Sequence, residues 1–312
     1  PLFLKVIMQI GILKETKSFE NRVAATPEIV KKLTSLNHSI TIQSKAGESS
    51  FILDQQYKDA INNLRKIEEF LDGEEASFIV IADGENFIPF ASSQDHKAAF
   101  DGDKGPNTGG MGAYSPAPVV TPGVHDRIVE QIIKPTIAGM QEEGHPYSGF
   151  LYAGLMIDDE GNPRVIEFNC RFGDPETQPI MMRLKSDLVD LMQAAIDRKL
   201  DEREIDFTED SALCVVLASG GYPGSYEKGC QIVGLDKVLN AKVFHAGTRL
   251  EDNVIVTSGG RVLGVTALGT NISAARRKAY TAVSEISFRN AEYRKDIGYR
   301  AVAREKAQGL NG

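Results

Sequence analysis

The sequence has few cysteines, no long apolar run and no excess of positive charge, and each absence argues against a class of protein. The three cysteines are widely spaced and form no CxxC pair, so reduced thiols are expected rather than a zinc site: Cys170, Cys214 and Cys230. No run of 18 apolar residues occurs, so no transmembrane helix is expected. A net charge of −8 argues against a general binder of nucleic acid or of anionic membranes.

The composition is otherwise that of an ordinary globular protein. With 312 residues, 42% hydrophobic and 25% charged, the chain has room for one large domain or two or three small ones. The opening residues 1–7 are apolar but too short for a signal peptide. Met8 directly precedes a predicted strand, so we expect residues 1–7 to be an upstream extension.

Residues 8–62 have the pattern of a strand, a helix and a second strand. Strands are predicted over 9–13 and 39–43. Between them Thr26 is the expected N-cap and Pro27 the first helical residue, with apolar residues at helical spacing until about Asn37. The order predicts a parallel βαβ unit.

Three strings in this segment resemble a known family. Residues 10–16, 20–27 and 46–48 are similar to the opening of alanine dehydrogenases and of the nicotinamide nucleotide transhydrogenase α subunit. The resemblance implies that Arg22 holds a substrate carboxylate; a surface or helix-entry arginine is the alternative, and we favour it. No GxGxxG fingerprint follows a strand, so a dehydrogenase is not predicted.

The remaining chain alternates helical and strand patterns. A helix over 118–144 is predicted to bury Val124, Ile128, Ile132 and Ile133. Strands over 148–157 and 164–169 flank a hairpin turn. A helix over 186–198, with Ser186 as its N-cap, precedes strands and a final helix: 213–218, 242–245, 254–257, 261–267 and 273–286.

The strand that ends near residue 169 carries the strongest chemical signal. Glu167 and Asn169 are two residues apart, which places both oxygen donors on one face of a strand, and such donors suit Mg²⁺. Arg171 would continue that face and offer its guanidinium to a phosphate or carboxylate. The alternative is an edge strand with solvated polar residues.

A glycine-rich stretch over 101–114 is the second chemical signal. Its backbone N–H groups would approach an anion closely, and Lys97 and Lys104 would add positive charge. The alternative is a flexible turn. His96 either orients a substrate or caps a turn.

These two stretches carry a resemblance that extends from Ile67 to about Glu305. Residues 107–114 and 167–178 are similar to the signatures of phosphoribosylamine–glycine ligases (glycinamide ribonucleotide synthetases) of the ATP-grasp superfamily. The implied fold is α/β (α+β). Its parts are a βαβ segment over 1–62, the C-terminal portion of an ATP-grasp domain over 63–205, and a small β-rich domain over 206–312.

The resemblance also implies functional residues. Glu68 and Leu71 would contact adenine, Glu75 the ribose, Glu167 and Asn169 the metal, and Arg171 and Asp174 would be catalytic. The implied substrate contacts are Asp95, His96, Lys97, Asn107, Gly109, Gly110, Arg294 and Lys295. No carboxylate lies within 153–156, where some ATP-grasp relatives carry a further metal ligand.

The implied activity is a cytoplasmic ligation of purine biosynthesis. ATP with Mg²⁺ (or Mn²⁺) would phosphorylate glycine, and 5-phosphoribosylamine would then displace phosphate. No nucleic-acid or membrane partner is expected, and the sequence indicates no oligomeric state. Family members carry a further domain and a first ATP-grasp lobe before the position of Ile67. We therefore expect this chain alone to have little or no activity.

The alternative is a non-catalytic truncated or chimeric remnant with weak nucleotide binding. The change of resemblance at 61–66 fits a natural fusion, an engineered chimera or a composite gene model.

Overall fold

In the computed structural model, residues 9–12, 24–35, 39–62 and 71–309 are described. Arg22, Glu68 and residues 63–66 of the predicted join lie outside them. The chain divides into two compact units, Pro1–Phe70 and Leu71–Gly312. The predicted boundaries after residues 62 and 205 stay predictions.

The first unit contains the predicted parallel βαβ unit. Strand β1 pairs in parallel with β2, and α1 begins at Pro27 as expected, because a proline ring suits the first helical turn. The Tyr57 hydroxyl donates to the carbonyl of Ala25 at 2.8 Å, and Val30 is fully buried. The elements are β1 Gln9–Ile12, α1 Pro27–Ser35, β2 Ser39–Ile42, a 3-10 turn Glu48–Ser50 and α2 Asp54–Asn62.

The second unit is built from fourteen strands and six α-helices within the described residues. Its strands are β3 Glu74–Asp83, β4 Phe87–Pro89, β5 Gln94–Asp95, β6 Ala98–Phe100, β7 Lys104–Asn107, β8 Gly112–Ser115, β9 Ser148–Ile157, β10 Pro163–Asn169, β11 Ser211–Ser219, β12 Lys242–His245, β13 Thr248–Glu251, β14 Val254–Thr257, β15 Arg261–Gly269 and β16 Ala291–Glu292. Its helices are α3 Pro122–Ile128, α4 Lys134–Glu142, α5 Thr177–Arg183, α6 Leu188–Ile196, α7 Ile272–Glu285 and α8 Tyr299–Ala307. A π-helical segment Val129–Ile133 joins α3 to α4, and 3-10 turns lie at Leu200–Glu202 and Leu235–Lys237.

A four-stranded antiparallel sheet in the order β10-β9-β3-β4 has a different apolar layer on each face. One face packs against α3, the π-helical segment and α4, whose predicted stripe is buried as expected: Val124, Ile128, Ile132 and Ile133. On the other face Ile79 and Ile81 pack with Leu191 of α6. The sheet is therefore a two-sided core, with β10 as its edge strand.

A second sheet, ordered β12-β15-β11-β8-β5 with β16 beside β11, joins the glycine-rich region to the C-terminal strands. Ala212 of β11 pairs with Ser115 of β8, and Asp95 of β5 pairs with Ala113. Helix α7 packs on this sheet through Ala275 and Ala279. Strands β5 and β8, before and at the end of the glycine-rich stretch, are therefore joined to the C-terminal strands through β11.

The prediction that Ser186 caps the helix over 186–198 is wrong. Asp187 is the N-cap: its carboxylate accepts the amides of Val189 and Asp190, at 2.8 and 3.4 Å. The Ser186 hydroxyl instead accepts the amide of Asp206 at 2.8 Å. A carboxylate reaches two of the unpaired amides at a helix start, which favours Asp187 over the neighbouring serine.

No helix among the described residues is long and apolar enough to span a membrane.

Candidate active site

The predicted metal strand contains a bulge that determines the direction of its polar residues. In β10, Val165 pairs with Leu155 whereas Glu167 pairs with Gly154, so the register shifts by one residue at Ile166. Adjacent residues of β9 face opposite sides of the sheet, so Val165 and Glu167 point to opposite faces. The bulge therefore turns Glu167 and Asn169 together away from the face on which Leu155 is buried.

Glu167 and Asn169 lie side by side, as the two-residue spacing predicts. The Asn169 amide Nδ2 donates to Glu167 Oε1 at 3.2 Å, and both residues lie on the open edge of the sheet. Gly154 is their neighbour, and a β-carbon there would stand 3.4 Å from Glu167 Cγ. The described residues contain no group of three or more His, Cys, Asp or Glu side chains able to hold a metal ion. A metal site here would therefore use this carboxylate–amide pair as its protein ligands.

Lys97 connects the metal pair to the predicted nucleotide residues. Its ammonium group lies 3.1 Å from Glu75 Oε2. Burial alone would lower the pKa of Lys97, but the nearby carboxylates of Glu75, Asp95 and Glu167 raise it above its ordinary value. Lys97 is therefore a positively charged group beside several acidic side chains.

A pair of acidic side chains, the half-buried Asp95 and the buried Glu176, lies near this cation. Burial and the neighbouring carboxylate of Glu176 raise the pKa of Asp95 well above its ordinary value. Glu176 is 3% exposed and accepts from the Ser77 hydroxyl at 2.8 Å, and Ser77 is 3.0 Å from the Tyr152 hydroxyl. The site thus couples a polar network in the sheet to the predicted substrate residue Asp95.

The glycine-rich stretch forms an ordered turn whose amides already have partners. The Gly109 amide donates to the Tyr222 hydroxyl and the Gly110 amide to Thr108 Oγ1, both at 3.0 Å. The next amide, that of Met111, donates to the His96 carbonyl at 2.9 Å. An anion would have to displace these partners to bind the three amides. The stretch is therefore an ordered turn at the border of the site rather than a loop with free amides for an anion.

Arg261 is a site residue that sequence reasoning missed. Its guanidinium donates to the carbonyls of Gly109 and Asp174 at 2.6 and 2.7 Å, and to Asp174 Oδ2 at 2.9 Å. The three residues are separated by 87 and 152 positions, so no local spacing links them. The Arg-Val-Leu-Gly string gives only a strand pattern.

His96 faces away from Asp95 and Lys97, as alternation along an extended segment requires. It is 2% exposed, and its Nε2 accepts the amide of Gly298 at 3.2 Å. Burial, followed by the positive charge of Arg294, lowers the pKa of His96 to about 4. The ring is therefore neutral and holds the start of α8, which is the capping alternative.

Arg294 and Lys295 are placed very differently. The Arg294 side chain is fully buried and donates to Asp296 and to the carbonyl of Ala98, with Asp103 2.9 Å away. Lys295 is exposed and lines a cavity of about 480 Å³. A phosphate would have to replace the partners of Arg294, so Lys295 is the more accessible of the two.

The other predicted residues lie at the surface. Arg171 is exposed, and its guanidinium donates to the Phe172 carbonyl at 2.8 Å. Leu71 is half-buried just before β3, and Asn107 is exposed at the end of β7. Their predicted roles stay predictions.

Two family profiles match the chain. Residues 12–177 match the ATP-grasp (A) domain of phosphoribosylglycinamide synthetase, and residues 212–300 match its C domain. The first match includes most of the segment that resembles alanine dehydrogenases, and the origin of that segment stays a prediction.

Curated relatives and a solved structure agree with the profiles. The phosphoribosylamine–glycine ligase of Vibrio parahaemolyticus serotype O3:K6 is 63% identical over 242 residues, which cover 77% of this chain and 56% of the relative. That of Pseudomonas aeruginosa is 62% identical over 244 residues, 78% of this chain and 57% of the relative. The chain thus spans little more than half the length of these relatives.

The crystal structure of a phosphoribosylamine–glycine ligase from Thermotoga maritima has a TM-score of 0.68 and 35% identity, covering 79% of this chain and 64% of that one. Kluyveromyces lactis urea carboxylase, with a TM-score of 0.51 and 13% identity over 76% of this chain and 20% of its own, shares the fold alone. The predicted mixed α/β, ATP-grasp fold with a C-terminal domain is confirmed. Because one profile already matches more than half of its residues, the chain belongs to the phosphoribosylglycinamide synthetase family.

Proposed function

We propose that the chain acts in an ATP-dependent, cytoplasmic ligation that joins glycine to 5-phosphoribosylamine and yields glycinamide ribonucleotide, ADP and phosphate. The proposal rests on the family and on one geometric observation. Lys97 pairs with Glu75 at 3.1 Å, and Glu167 is among the carboxylates that raise the pKa of Lys97, which supports a single site for the predicted ribose residue Glu75 and the predicted metal residue Glu167.

The donors at the end of β10 fit a divalent cation. The carboxylate of Glu167 and the amide oxygen of Asn169 are hard ligands on the open edge of the sheet, which suits Mg²⁺ or Mn²⁺. When bound, such an ion neutralises charge on the nucleotide phosphates.

The protein's own part in the reaction is positioning and charge neutralisation. A glycine carboxylate oxygen attacks the terminal phosphorus of ATP and expels ADP. The amine of 5-phosphoribosylamine then attacks the acyl carbon, phosphate departs, and the amine loses a proton. In this proposal Lys97 neutralises phosphate charge, and the Asp174 carboxylate beside the glycine turn attracts an ammonium group, with Asp95 bordering the same turn.

The Glu167→Ala variant tests the metal assignment. We expect it to abolish ATP turnover with an unchanged thermal unfolding transition, because Glu167 is exposed and its removal leaves the core intact. A coupled ADP assay would measure turnover, scanning calorimetry the unfolding transition, and titration calorimetry the binding of Mg-ATP. Asp159→Ala removes the same charge from the neighbouring hairpin turn and is the matched control.

Unchanged Mg-ATP binding by the Glu167→Ala variant would refute the metal assignment. If the unaltered chain forms no ADP with glycine and 5-phosphoribosylamine present, the ligase proposal fails. The non-catalytic alternative would then be supported.

A further inference from the structure

Arg261, the first residue of β15, is hydrogen-bonded to two parts of the candidate site at once. One part is the glycine turn, through the carbonyls of Gly109 and Gly110 at 2.6 and 3.4 Å. The other is Asp174, through its carbonyl at 2.7 Å and its carboxylate at 2.9 Å. A guanidinium group has five N–H donors in a rigid fork, so one side chain can serve both parts at once.

The surrounding glycines make room for this link. A β-carbon on Gly109 would stand 2.9 Å from Arg261 Cζ, so any side chain there would push the guanidinium aside. A β-carbon on Gly260 would stand 2.3 Å from the ring of Tyr222, whose hydroxyl accepts the Gly109 amide. A β-carbon on Gly110 would stand 2.3 Å from Pro175 and 2.7 Å from Asp95. The turn, Arg261, Tyr222 and the segment around Asp174 therefore form one close-packed assembly.

The assembly determines where a carboxylate of the site points. Asp174 Oδ2 is bound by Arg261, whereas Oδ1 has only a long contact of 3.4 Å from Gln178. The Asp174 side chain is 53% exposed, so packing alone does not hold it. Its direction depends on Arg261.

We propose that Arg261 is a positioning residue of the ligase reaction, which holds the Gly109–Gly110 turn and the Asp174 carboxylate as one surface for the amine-bearing substrates. This inference rests on the proposed function. Its contacts include neither Glu75 nor Glu167, so the nucleotide and metal residues are outside its direct reach.

The test compares Arg261→Ala and Arg261→Lys with Arg249→Ala, which removes an exposed arginine paired with Glu251 at the surface of β13. We expect Arg261→Ala to raise KM for glycine by about 10- to 100-fold, because small misplacements of positioning groups have effects of this size. KM for ATP should stay within about twofold of its value in the unaltered chain, because the residues that bind ATP are not displaced when the glycine site is disturbed. Arg261→Lys should recover part of the loss, because an ammonium group can still pair with Asp174.

A second measurement is independent of turnover. Hydrogen exchange at the amides of Gly109 and Gly110 should be faster in Arg261→Ala than in the unaltered chain, and unchanged in Arg249→Ala. Equal increases in KM for glycine and ATP, or unaltered exchange at these amides, would overturn the inference.

The two proposals fail differently. If the unaltered chain makes no ADP, the proposed function fails and the positioning role in catalysis fails with it, while the exchange measurement still decides whether Arg261 holds the turn. If the chain is active and Arg261→Ala has unchanged KM for glycine, only the inference fails.

Discussion

His96 shows how burial converts a titratable side chain into a structural acceptor. Its Nε2 accepts the Gly298 amide, which requires the neutral ring, and its pKa is lowered to about 4 by burial and by Arg294. Asp103 and Asp296 act in the opposite direction but do not outweigh these causes. The His-Lys string alone left capping and substrate orientation open, because burial depends on distant residues such as Tyr114 and Tyr299.

The stability of the protein should therefore depend on pH through His96. Between the ordinary pKa of 6.5 and about 4, the unfolded chain binds a proton that the folded protein does not. The part of the free energy of unfolding that comes from the lowered pKa of His96 is fully present above pH 6.5. It is lost as the pH falls towards 4, by about 3 kcal/mol in total. Urea unfolding at pH 7.5 and pH 4.5 would measure it.

The His96→Gln variant is the control for this pH dependence, since glutamine keeps an acceptor for the Gly298 amide but does not titrate in this range. We expect the loss of stability on acidification to be smaller in the variant, because the protonation of His96 no longer contributes to it. Equal losses in both proteins would show that His96 does not carry the effect.

Sequence reasoning succeeded at residues whose partners are local. Glu167 and Asn169 are two positions apart in a strand, so their common face followed from strand geometry and the structure brings them together. Arg261 was missed because its partners lie 87 and 152 positions away. A contact of that kind has no signature in a single sequence.

At the scale of elements, several strands between clear turn signals have their predicted bounds, whereas short strands without alternation were missed. The strand Ser148–Ile157 has its predicted bounds, since ten residues between turn signals leave little freedom. Strands β5 to β8 have two to four residues and no periodicity, and they were not predicted. The bulge at Ile166 was also missed, because alternation alone would place Val165 and Glu167 on the same face.

Helix α7 depends on an acid from outside its own sequence. The Glu305 carboxylate accepts the amides of Ile272 and Ser273, at 2.7 and 3.0 Å, together with the Ser273 hydroxyl at 2.5 Å. These are unpaired donors at the helix start, where the helix dipole also favours negative charge. We expect Glu305→Ala to lower the free energy of unfolding by about 2 kcal/mol in urea titrations, and Glu305→Gln by less.

Glu285, the last residue of the same helix, is the matched control. Its negative charge lies at the end of α7 that the dipole makes negative, so Glu285→Ala should be neutral or slightly stabilising. A loss as large as that of Glu305→Ala would show that the effect is a general consequence of altering α7.

At the scale of the whole molecule, the two units have separate cores. The cluster of the first unit contains Ile12, Val30 and Tyr57, whereas the three clusters of the second contain residues between 76 and 301. Each sheet formed by the described residues also lies within one unit. Composition left open one large domain or two or three small ones, because the division depends on which strands pair.

Because its sheets and clusters are complete within residues 71–309, we expect a fragment of residues 71–312 to fold without the preceding unit. Its main thermal unfolding transition should coincide with that of the full chain in calorimetry, and its far-UV circular dichroism should show the same mixture of helix and strand. A fragment that aggregates, or that unfolds at a clearly lower temperature, would show that residues before 71 stabilise the second unit. Coincident transitions would instead show that the elements that carry the candidate site, from Glu75 to Arg261, fold without the first unit.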